Sequence, residues 1–209
     1  MRCLILSSCM FIFFSCMSVY KNLQPATGNL NNLQKFKPAF TTVLYTANVD
    51  VVGKHLSGLL LIKKMPDSSI RMVFSNEMGF KFFDFEFNAD GIFKVYSIIK
   101  QLNKKPAIKT LSKDFELMLM HKLDTGNAYL QKDNELLYYV FPQSKGLNYY
   151  ITNSEGDKLI RLERASKRKP VTQVSMKNYI NGIPDTITFL HTKFSFTIGL
   201  KRIENNVTK

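Results

Sequence analysis

A long alternation of apolar and polar residues is the feature of this chain that most restricts how it can fold. Beyond Thr41, the apolar or aromatic residues Val43, Tyr45, Ala47 and Val49 occupy every second position. A period of two places them all on one face of a β-strand, so a half-buried strand is predicted here. The same alternation recurs along most of the chain between short runs of Gly, Asn, Asp and Pro, which are typical turn residues. We therefore predict a chain built mainly of antiparallel strands.

About ten strands are predicted by this pattern, with a helical interruption in the middle of the chain. In the strand at 80–87, the pair Phe82 and Phe83 breaks the alternation and predicts a β-bulge. The period becomes helical at 98–102 and again at 111–119, which predicts two short amphipathic helices. Because strands and helices do not alternate regularly, the predicted fold class is mainly β with α: an open (unclosed) antiparallel β-barrel covered by a short helical lid. The predicted strand segments are 43–51, 56–63, 70–75, 80–87, 92–96, 135–141, 147–152, 158–164, 171–177, 185–190 and 193–203.

The N-terminus has the composition of an export signal. Arg2 precedes an uncharged apolar stretch at 3–14, which is too short to span a bilayer as a helix of about 20 residues. The small residue Ser15 directly before Cys16 resembles the lipobox of bacterial lipoproteins, in which the cysteine is acylated and becomes the first residue after cleavage. Cys9 also follows small residues, and an ordinary signal peptide with incidental cysteines is the remaining alternative.

These signals divide the chain into three predicted parts: a lipoprotein signal peptide (1–15), an acylated cysteine with a polar tether (16–40), and a half-barrel domain (41–205). The tether is rich in Asn and Gln, and the segment 30–36 fits a partly helical conformation. The chain has 3 cysteines, and all of them precede the tether or begin it. The predicted domain therefore has no disulfide, no thiol nucleophile and no thiolate metal site.

The chain is strongly basic, with 29 Lys and Arg against 16 Asp and Glu and a formal charge of +13. Such an excess favours an anionic partner: a membrane surface, an acidic protein or nucleic acid. Nucleic acid does not suit an exported protein, so no nucleic-acid binding is predicted. A solvated, solubilising surface is the alternative. The basic residues predicted to meet lipid headgroups or an acidic carrier protein are Arg161, Arg164, Lys167, Arg168 and Lys169.

Residues that support catalysis or metal binding are few. His55, His121 and His191 do not lie at metal-ligand spacing, and we interpret each as a surface or turn residue. Asp84 and Glu86 lie on one face of a predicted strand, where a solvent face is a better interpretation than an acid–base pair. No nucleophile or phosphate-loop motif is present. We therefore predict no catalytic residues, no metal and no cofactor, with a hydrolase using the two carboxylates as the alternative.

Apolar residues are abundant in the middle of the chain, where Phe and Met are concentrated. These side chains either form an ordinary core or, beneath a helical lid, line a cavity for acyl chains. Flexible thioethers and aromatic rings suit a ligand without a fixed shape. The predicted acyl-chain cavity consists of Leu60, Ile62, Met72, Phe74, Phe83, Phe85, Phe93, Leu111, Phe115 and Leu119.

A short loop carries a resemblance to a known family. The segment 75–79, with the sequence SNEMG, follows an alternating strand and precedes another. It is similar to the Ser/Thr-Asn-x-Leu-Gly loop of the LolB family of outer-membrane lipoprotein receptors, within the LolA/LolB superfamily of lipoprotein carriers. A Gly-containing hairpin at 57–59 and the segment 183–187 near the last strand resemble the family as well. The chain departs from the family pattern because it has no Trp and carries Glu77 in place of the usual Pro.

The resemblance implies a half-barrel with a helical lid and an apolar cavity that receives lipoproteins from a periplasmic carrier protein. It implies that Met78, at the family's Leu position, is a membrane-insertion residue, although a turn residue folded onto the core is the alternative. The expected protein is a non-enzymatic monomer in the cell envelope, attached to the outer membrane by Cys16 and facing the periplasm. The alternatives are an acyl-binding protein without a transfer role, or a structural and assembly lipoprotein that binds only protein partners.

Overall fold

The computed structural model describes residues 18–51, 53–121 and 123–203, so the predicted signal peptide (1–15) and Cys16 lie outside the described residues. Within those ranges the chain forms thirteen strands, one α-helix and one 3-10 helix at Leu30–Phe36. The α-helix, α1, spans Lys105–Leu119. The strands are Gln24–Ala26 (β1), Thr42–Val51 (β2), Lys54–Lys64 (β3), Ile70–Ser75 (β4), Lys81–Phe87 (β5), Phe93–Ile98 (β6), Tyr129–Lys132 (β7), Leu136–Pro142 (β8), Leu147–Asn153 (β9), Leu159–Ala165 (β10), Pro170–Ile180 (β11), Ile183–His191 (β12) and Phe196–Arg202 (β13).

All described strands belong to one antiparallel sheet, in the order β1-β7-β8-β9-β10-β11-β12-β13-β2-β3-β4-β5-β6. Strands β1 and β6 are the two edges, so the sheet curves into a barrel that is not closed by hydrogen bonds between the described residues. The predicted fold class, an open antiparallel β-barrel with a short helix, is confirmed. The β-bulge is confirmed too, because Phe74 pairs with Phe83 and Ser75 pairs with Lys81, which leaves Phe82 as the extra residue.

One of the two predicted helices is absent. Ile98 is the last residue of β6 and pairs with Phe83, and the residues after it form a turn. The apolar spacing at 98–102 therefore comes from a strand end followed by a turn, not from a helix. The second helix is present as α1, which begins next to Pro106 and ends at Met120 with a left-handed φ of 48°.

The segment predicted as a tether packs against the barrel from Ser18 onward. Strand β1 pairs with β7, and Leu33 of the 3-10 helix is only 1% exposed. The Tyr20 hydroxyl donates a hydrogen bond to the Glu163 carboxylate on β10, and the Tyr20 ring stacks on Tyr149. The Tyr20 part of this segment therefore packs on the outer face of the sheet, whereas Leu33 belongs to the main core. Strands β1 and β7 were not predicted because three or four residues are too few to show a period.

The antiparallel order places several loops at one end of the barrel. Each of these loops follows a strand that runs in the same direction as β2, so they share an edge of the sheet. The end of β6 and the beginning of α1 lie at this edge too. We call this edge the mouth rim; it comprises the loops 76–80, 143–146, 166–169 and 192–195.

Candidate functional site

A cavity of about 310 Å³ lies between α1 and the inner faces of β2, β3 and β13. Phe83, Phe115 and Leu60 line its buried end, whereas Pro106 and Phe194 are exposed at the mouth rim. The cavity therefore opens toward the rim. Its lining consists of Ala47, Val49, Val51, Leu56, Leu60, Phe74, Phe83, Leu102, Pro106, Ala107, Thr110, Leu111, Phe115, Phe194, Phe196, Ile198 and Leu200.

The chemistry of the cavity is almost entirely apolar. Among the described residues that line it, Thr110 has the only polar side chain. Its volume of about 310 Å³ falls at the lower end of the range of about 300–1,000 Å³ that ligand pockets occupy. Since a water-sized group occupies about 30 Å³, the cavity has room for roughly ten methylene-sized groups. An aliphatic chain fits this shape and polarity, and a polar or charged molecule does not.

Six of the ten predicted cavity residues form two rows across the sheet. The row Leu60, Phe74 and Phe83, with each residue paired to the next, lies nearer the mouth rim and lines the cavity. Leu111 and Phe115 of α1 complete this predicted group. The cavity therefore occupies only the half of the barrel next to the rim.

The other five predicted residues do not line the cavity. The second row, Ile62, Met72 and Phe85, is fully buried and fills the far half of the barrel. Leu119 is 2% exposed in the same core, and Phe93 packs on Phe85 with ring centroids 5.0 Å apart. For the strand residues among them, alternation predicted the inward direction, but their distance from the rim depends on strand register.

The wall formed by β2 and β13 was not predicted from the sequence. Ala47, Val49 and Val51 of β2 face Phe196, Ile198 and Leu200 of the neighbouring β13 across the register. All of them line the cavity. The alternation within each segment is visible in the sequence, but nothing local indicates that these two distant segments are neighbours.

A buried ionic cluster holds α1 against the sheet. The Asp114 carboxylate of α1 accepts hydrogen bonds from Arg164 Nη2 on β10 at 2.8 Å and from His191 Nε2 on β12 at 2.7 Å. The side chains of Asp114 and His191 are 0% exposed. The interpretation of His191 as a surface or turn residue was therefore wrong. Its ring also lies 4.6 Å from the ring of Phe196 in the cavity wall, so the cluster joins the lid to the cavity.

Asp84 does not lie on a solvent face as predicted. Its carboxylate is 4% exposed and accepts two hydrogen bonds from Arg71, at 2.8 and 3.0 Å. These hydrogen bonds lower the pKa of Asp84 and outweigh burial, which raises it. The neighbouring Glu86 accepts hydrogen bonds from Tyr96 instead. A carboxylate that is ionised and saturated by an arginine is poorly suited to donate a proton, so this geometry speaks against the acid–base alternative.

We expect Asp84→Asn to lower the free energy of unfolding by about 2 kcal/mol at neutral pH, since it removes charge-assisted hydrogen bonds. The pKa of Asp84 is lower in the folded state, so its contribution is present above the unfolded pKa and is lost as pH falls through the folded value. Urea unfolding of both proteins from pH 7 downward should show curves that converge in acid. A difference that stays constant with pH would contradict this prediction.

The predicted basic surface is divided. Arg161 Nε donates to Glu163 at 2.6 Å on the outer face, and Arg164 belongs to the buried cluster, so neither forms part of a free basic surface. Both lie within β10: Arg161 pairs with Glu163 on the same strand, and Arg164 pairs with Asp114 on α1. By contrast, Lys167, Arg168 and Lys169 are exposed in a loop of the mouth rim.

Met78 lies at the tip of a rim loop and is 93% exposed. The Asn76 side chain accepts a hydrogen bond from the Phe80 backbone N–H at 2.8 Å, and Gly79 has a φ of 83° that favours glycine. Phe80 is 59% exposed beside it. The alternative that Met78 folds onto the core is therefore wrong. At the loop base, a Cβ on Gly58 would lie 2.1 Å from the Ser75 carbonyl oxygen, so only glycine allows this close approach.

The N-terminal segment reaches the barrel at the same rim. The Val19 backbone N–H donates to the Arg168 carbonyl at 2.9 Å, and Ser18 Oγ donates to the Lys167 carbonyl at 3.3 Å. From there the chain runs down the outer face past Tyr20 to β1. The described part of the chain therefore begins, at Ser18, next to the exposed basic loop 166–169.

Comparison with known proteins shows a similarity of fold. No family model matches the sequence, and no curated protein matches it significantly. A LolA superfamily protein from Nitrosomonas europaea has a similar structure, with a TM-score of 0.52 and 11% identity over 86% of this chain and 93% of that chain. A DUF1329 family protein from Desulfovibrio piger aligns with a TM-score of 0.48 and 10% identity over 84% of this chain and 90% of that chain.

The first of these similarities shows that the chain has the open-barrel fold of a LolA superfamily protein. The resemblance to the LolB family in particular stays a prediction. In the described part of the chain, no helix has the length and hydropathy needed to cross a membrane. The same residues contain no cluster of three His, Cys, Asp or Glu side chains that could hold a metal ion.

Proposed function

We propose that this protein binds acyl chains in the cavity beneath α1 and takes part in the localisation of lipoproteins. In this proposal Cys16 anchors it to the outer membrane, where it faces the periplasm and receives lipoproteins from a periplasmic carrier protein. The single observation that carries the proposal is the apolar cavity of about 310 Å³ that opens at the mouth rim. An aliphatic chain is the ligand class that such a lining accommodates best.

The mouth rim has the chemistry of a membrane-facing surface. Met78, Phe80 and Phe194 expose apolar side chains there, at 93%, 59% and 42% of their areas. The exposed basic loop 166–169 lies at the same edge. Apolar side chains that enter the headgroup region together with lysines and arginines that meet anionic lipids are typical of interfacial proteins.

The position of Ser18 supports an anchor at this rim. Cys16 precedes Ser18 by two residues, which span at most about 7 Å. An acyl group on Cys16 would therefore enter the bilayer close to the basic loop 166–169, with the cavity mouth directed toward the membrane. An acyl chain that leaves the cavity would then have a short path into the lipid bilayer.

The energetics suit reversible binding. Burial of roughly ten methylene groups contributes about 8 kcal/mol at about 0.8 kcal/mol each. Only part of this appears as affinity, because ordering the chain opposes it. A carrier that both receives and releases its cargo needs an affinity of this intermediate kind.

Native mass spectrometry of the purified protein with a triacylated lipopeptide tests the proposal directly. A stoichiometric complex is the expected result. A protein that remains free of lipid, both as purified from cells and after mixing, would overturn acyl binding. That result would favour the alternative of an envelope assembly lipoprotein that binds protein partners only.

Met78→Glu should slow the transfer of a fluorescent lipoprotein from its carrier into anionic liposomes by about tenfold, because insertion of the Met78 side chain is worth about 1.5 kcal/mol. Ile180→Glu is the matched control, since Ile180 is 43% exposed at the opposite end of the barrel. It should transfer at the wild-type rate. Equal rates for wild type and Met78→Glu would show that this loop does not insert.

A further inference from the structure

A basic groove lies beside the mouth of the apolar cavity. It has a volume of about 490 Å³, and its walls come from α1, the end of β10 and three loops of the mouth rim. None of the described residues that line it is acidic. The basic residues that line it are Lys109, Lys113, Lys145, Arg164, Lys167 and Lys193.

The groove and the cavity adjoin each other. Pro106 and Thr110, in the N-terminal part of α1, line both of them. A molecule with an apolar chain in the cavity can therefore place its polar end in the groove without leaving the protein surface. The Thr110 hydroxyl, the one polar side chain of the described cavity lining, lies at this junction.

The positive charges in the groove are poorly balanced. Arg164 is paired with Asp114, which leaves five lysines around the same space. Burial lowers the pKa of Lys113, and the charges of Arg164, Lys109 and Lys145 lower it further, while Glu116 opposes them. The Nε of Arg164 has no hydrogen-bond partner among the described atoms. An anion in the groove would relieve this repulsion.

The beginning of α1 adds to the positive potential. Helix N-termini carry a partial positive charge and are usually stabilised by acidic residues in the first turn. Here the first turn contains no acidic residue, the N-cap Lys104 makes no side-chain capping bond, and Lys105 follows it. The sequence thus places cations where the helix favours an anion, next to a groove that already holds five lysines.

We propose that the basic groove is the head-group subsite of the cavity and that it binds an acyl lipid with an anionic phosphate head group. The inference rests on the proposed acyl binding and adds a ligand class to it, because the acylated cysteine of a lipoprotein carries no phosphate. The acyl chain occupies the apolar cavity, and the phosphate lies among Lys109, Lys113 and Lys193 near the first turn of α1.

The test compares two lysophospholipids with the same acyl chain, one with an anionic phosphatidylglycerol head group and one with a zwitterionic phosphatidylcholine head group. Binding to the purified full-length protein is measured by native mass spectrometry and by titration calorimetry, at low and at high salt. Glycerol 3-phosphate without a chain is the third probe. The variants are Lys109→Gln with Lys113→Gln, and, as a control, Lys63→Gln with Lys177→Gln, both exposed and outside the groove.

We expect the anionic lysolipid to bind about five- to tenfold more tightly than the zwitterionic one at low salt, with the preference reduced at high salt. The groove variant should lose this preference and retain the binding of the zwitterionic lysolipid, and the control variant should behave as wild type. Equal binding of both lysolipids would overturn the head-group subsite while acyl binding stands. If neither lysolipid binds, the proposed function itself fails. Tight binding of glycerol 3-phosphate alone would show a phosphate site independent of the cavity, which also overturns the inference.

Discussion

Replacing Asp114 with alanine is expected to lower the free energy of unfolding by about 3–5 kcal/mol, because it removes the shared partner of two buried groups. Asp114 accepts hydrogen bonds from Arg164 at 2.8 Å and from His191 at 2.7 Å, and its own side chain is 0% exposed. Without the carboxylate, the partly buried guanidinium has no anion to offset its lost hydration. The hydrogen bond of His191 Nε2 would be lost as well, and His191 Nδ1 already has no partner among the described atoms.

The loss of stability in Asp114→Ala should affect α1 in particular as well as the whole protein. Asp114 connects α1 to β10 and β12, so native-state hydrogen exchange should show faster exchange of the α1 amides in the variant. Asp114→Asn, which retains the shape and one acceptor oxygen, should lose less stability than Asp114→Ala. Asp90→Ala changes an exposed turn residue and should stay within about 0.5 kcal/mol of wild type. A loss below about 1 kcal/mol for Asp114→Ala would show that the cluster contributes little.

Filling the cavity from β2 should abolish most acyl binding without unfolding the protein. Ala47 is 2% exposed, lies opposite Gly58 and Leu200, and lines the cavity. Ala47→Phe would occupy the space of about three methylene groups, each worth about 0.8 kcal/mol. The affinity for an acyl chain should therefore fall roughly 50-fold. Because the new ring enters an existing void, stability should change little or rise.

Measuring both the acyl-chain affinity and the free energy of unfolding of Ala47→Phe separates a filled cavity from an unfolded protein. Ala89→Phe adds the same ring to an exposed turn and should bind acyl chains as wild type does. Affinity is measured with a fluorescent fatty acid, and stability by urea unfolding. Unchanged affinity in a folded Ala47→Phe protein would mean that the ligand does not occupy this cavity. If Ala47→Phe does not fold, Thr110→Leu, a smaller change at the cavity mouth, is measured in its place.

Local patterns in the sequence determined most of the secondary structure. The alternation of β2, the extra residue Phe82 in β5 and the helical period at 111–119 each depend on neighbouring residues, and each is present as predicted. The exposed tip at Met78 also depends on a short loop, since Asn76 and Gly79 close that loop by themselves. Period, bulge and turn are properties of a few consecutive residues, so the sequence carries them directly.

Tertiary packing sets which apolar residues line the cavity and which fill the core. Leu60 and Ile62 are both inward-facing residues of β3, and their alternation is the same. They differ because Leu60 belongs to the row with Phe74 near the mouth rim, whereas Ile62 belongs to the row with Met72 in the packed half. Strand order and register set this distance from the rim, and both arise from pairing between segments remote in the sequence.

The burial and the partners of the charged residues could not be predicted from the sequence, because they too depend on pairing between remote segments. Asp114, Arg164 and His191 lie on three separate elements, and the residues around each of them are typical of a helix surface or a strand end. They form one buried cluster only because β10, β12 and α1 converge. Burial turns such charges into paired groups, since an unpaired charge away from water is too costly, and no local pattern records which partners will meet. Local sequence patterns therefore account for most of the strands, for α1 and for the exposed loop, whereas the cavity, the basic groove and the cluster that holds α1 arise from tertiary packing.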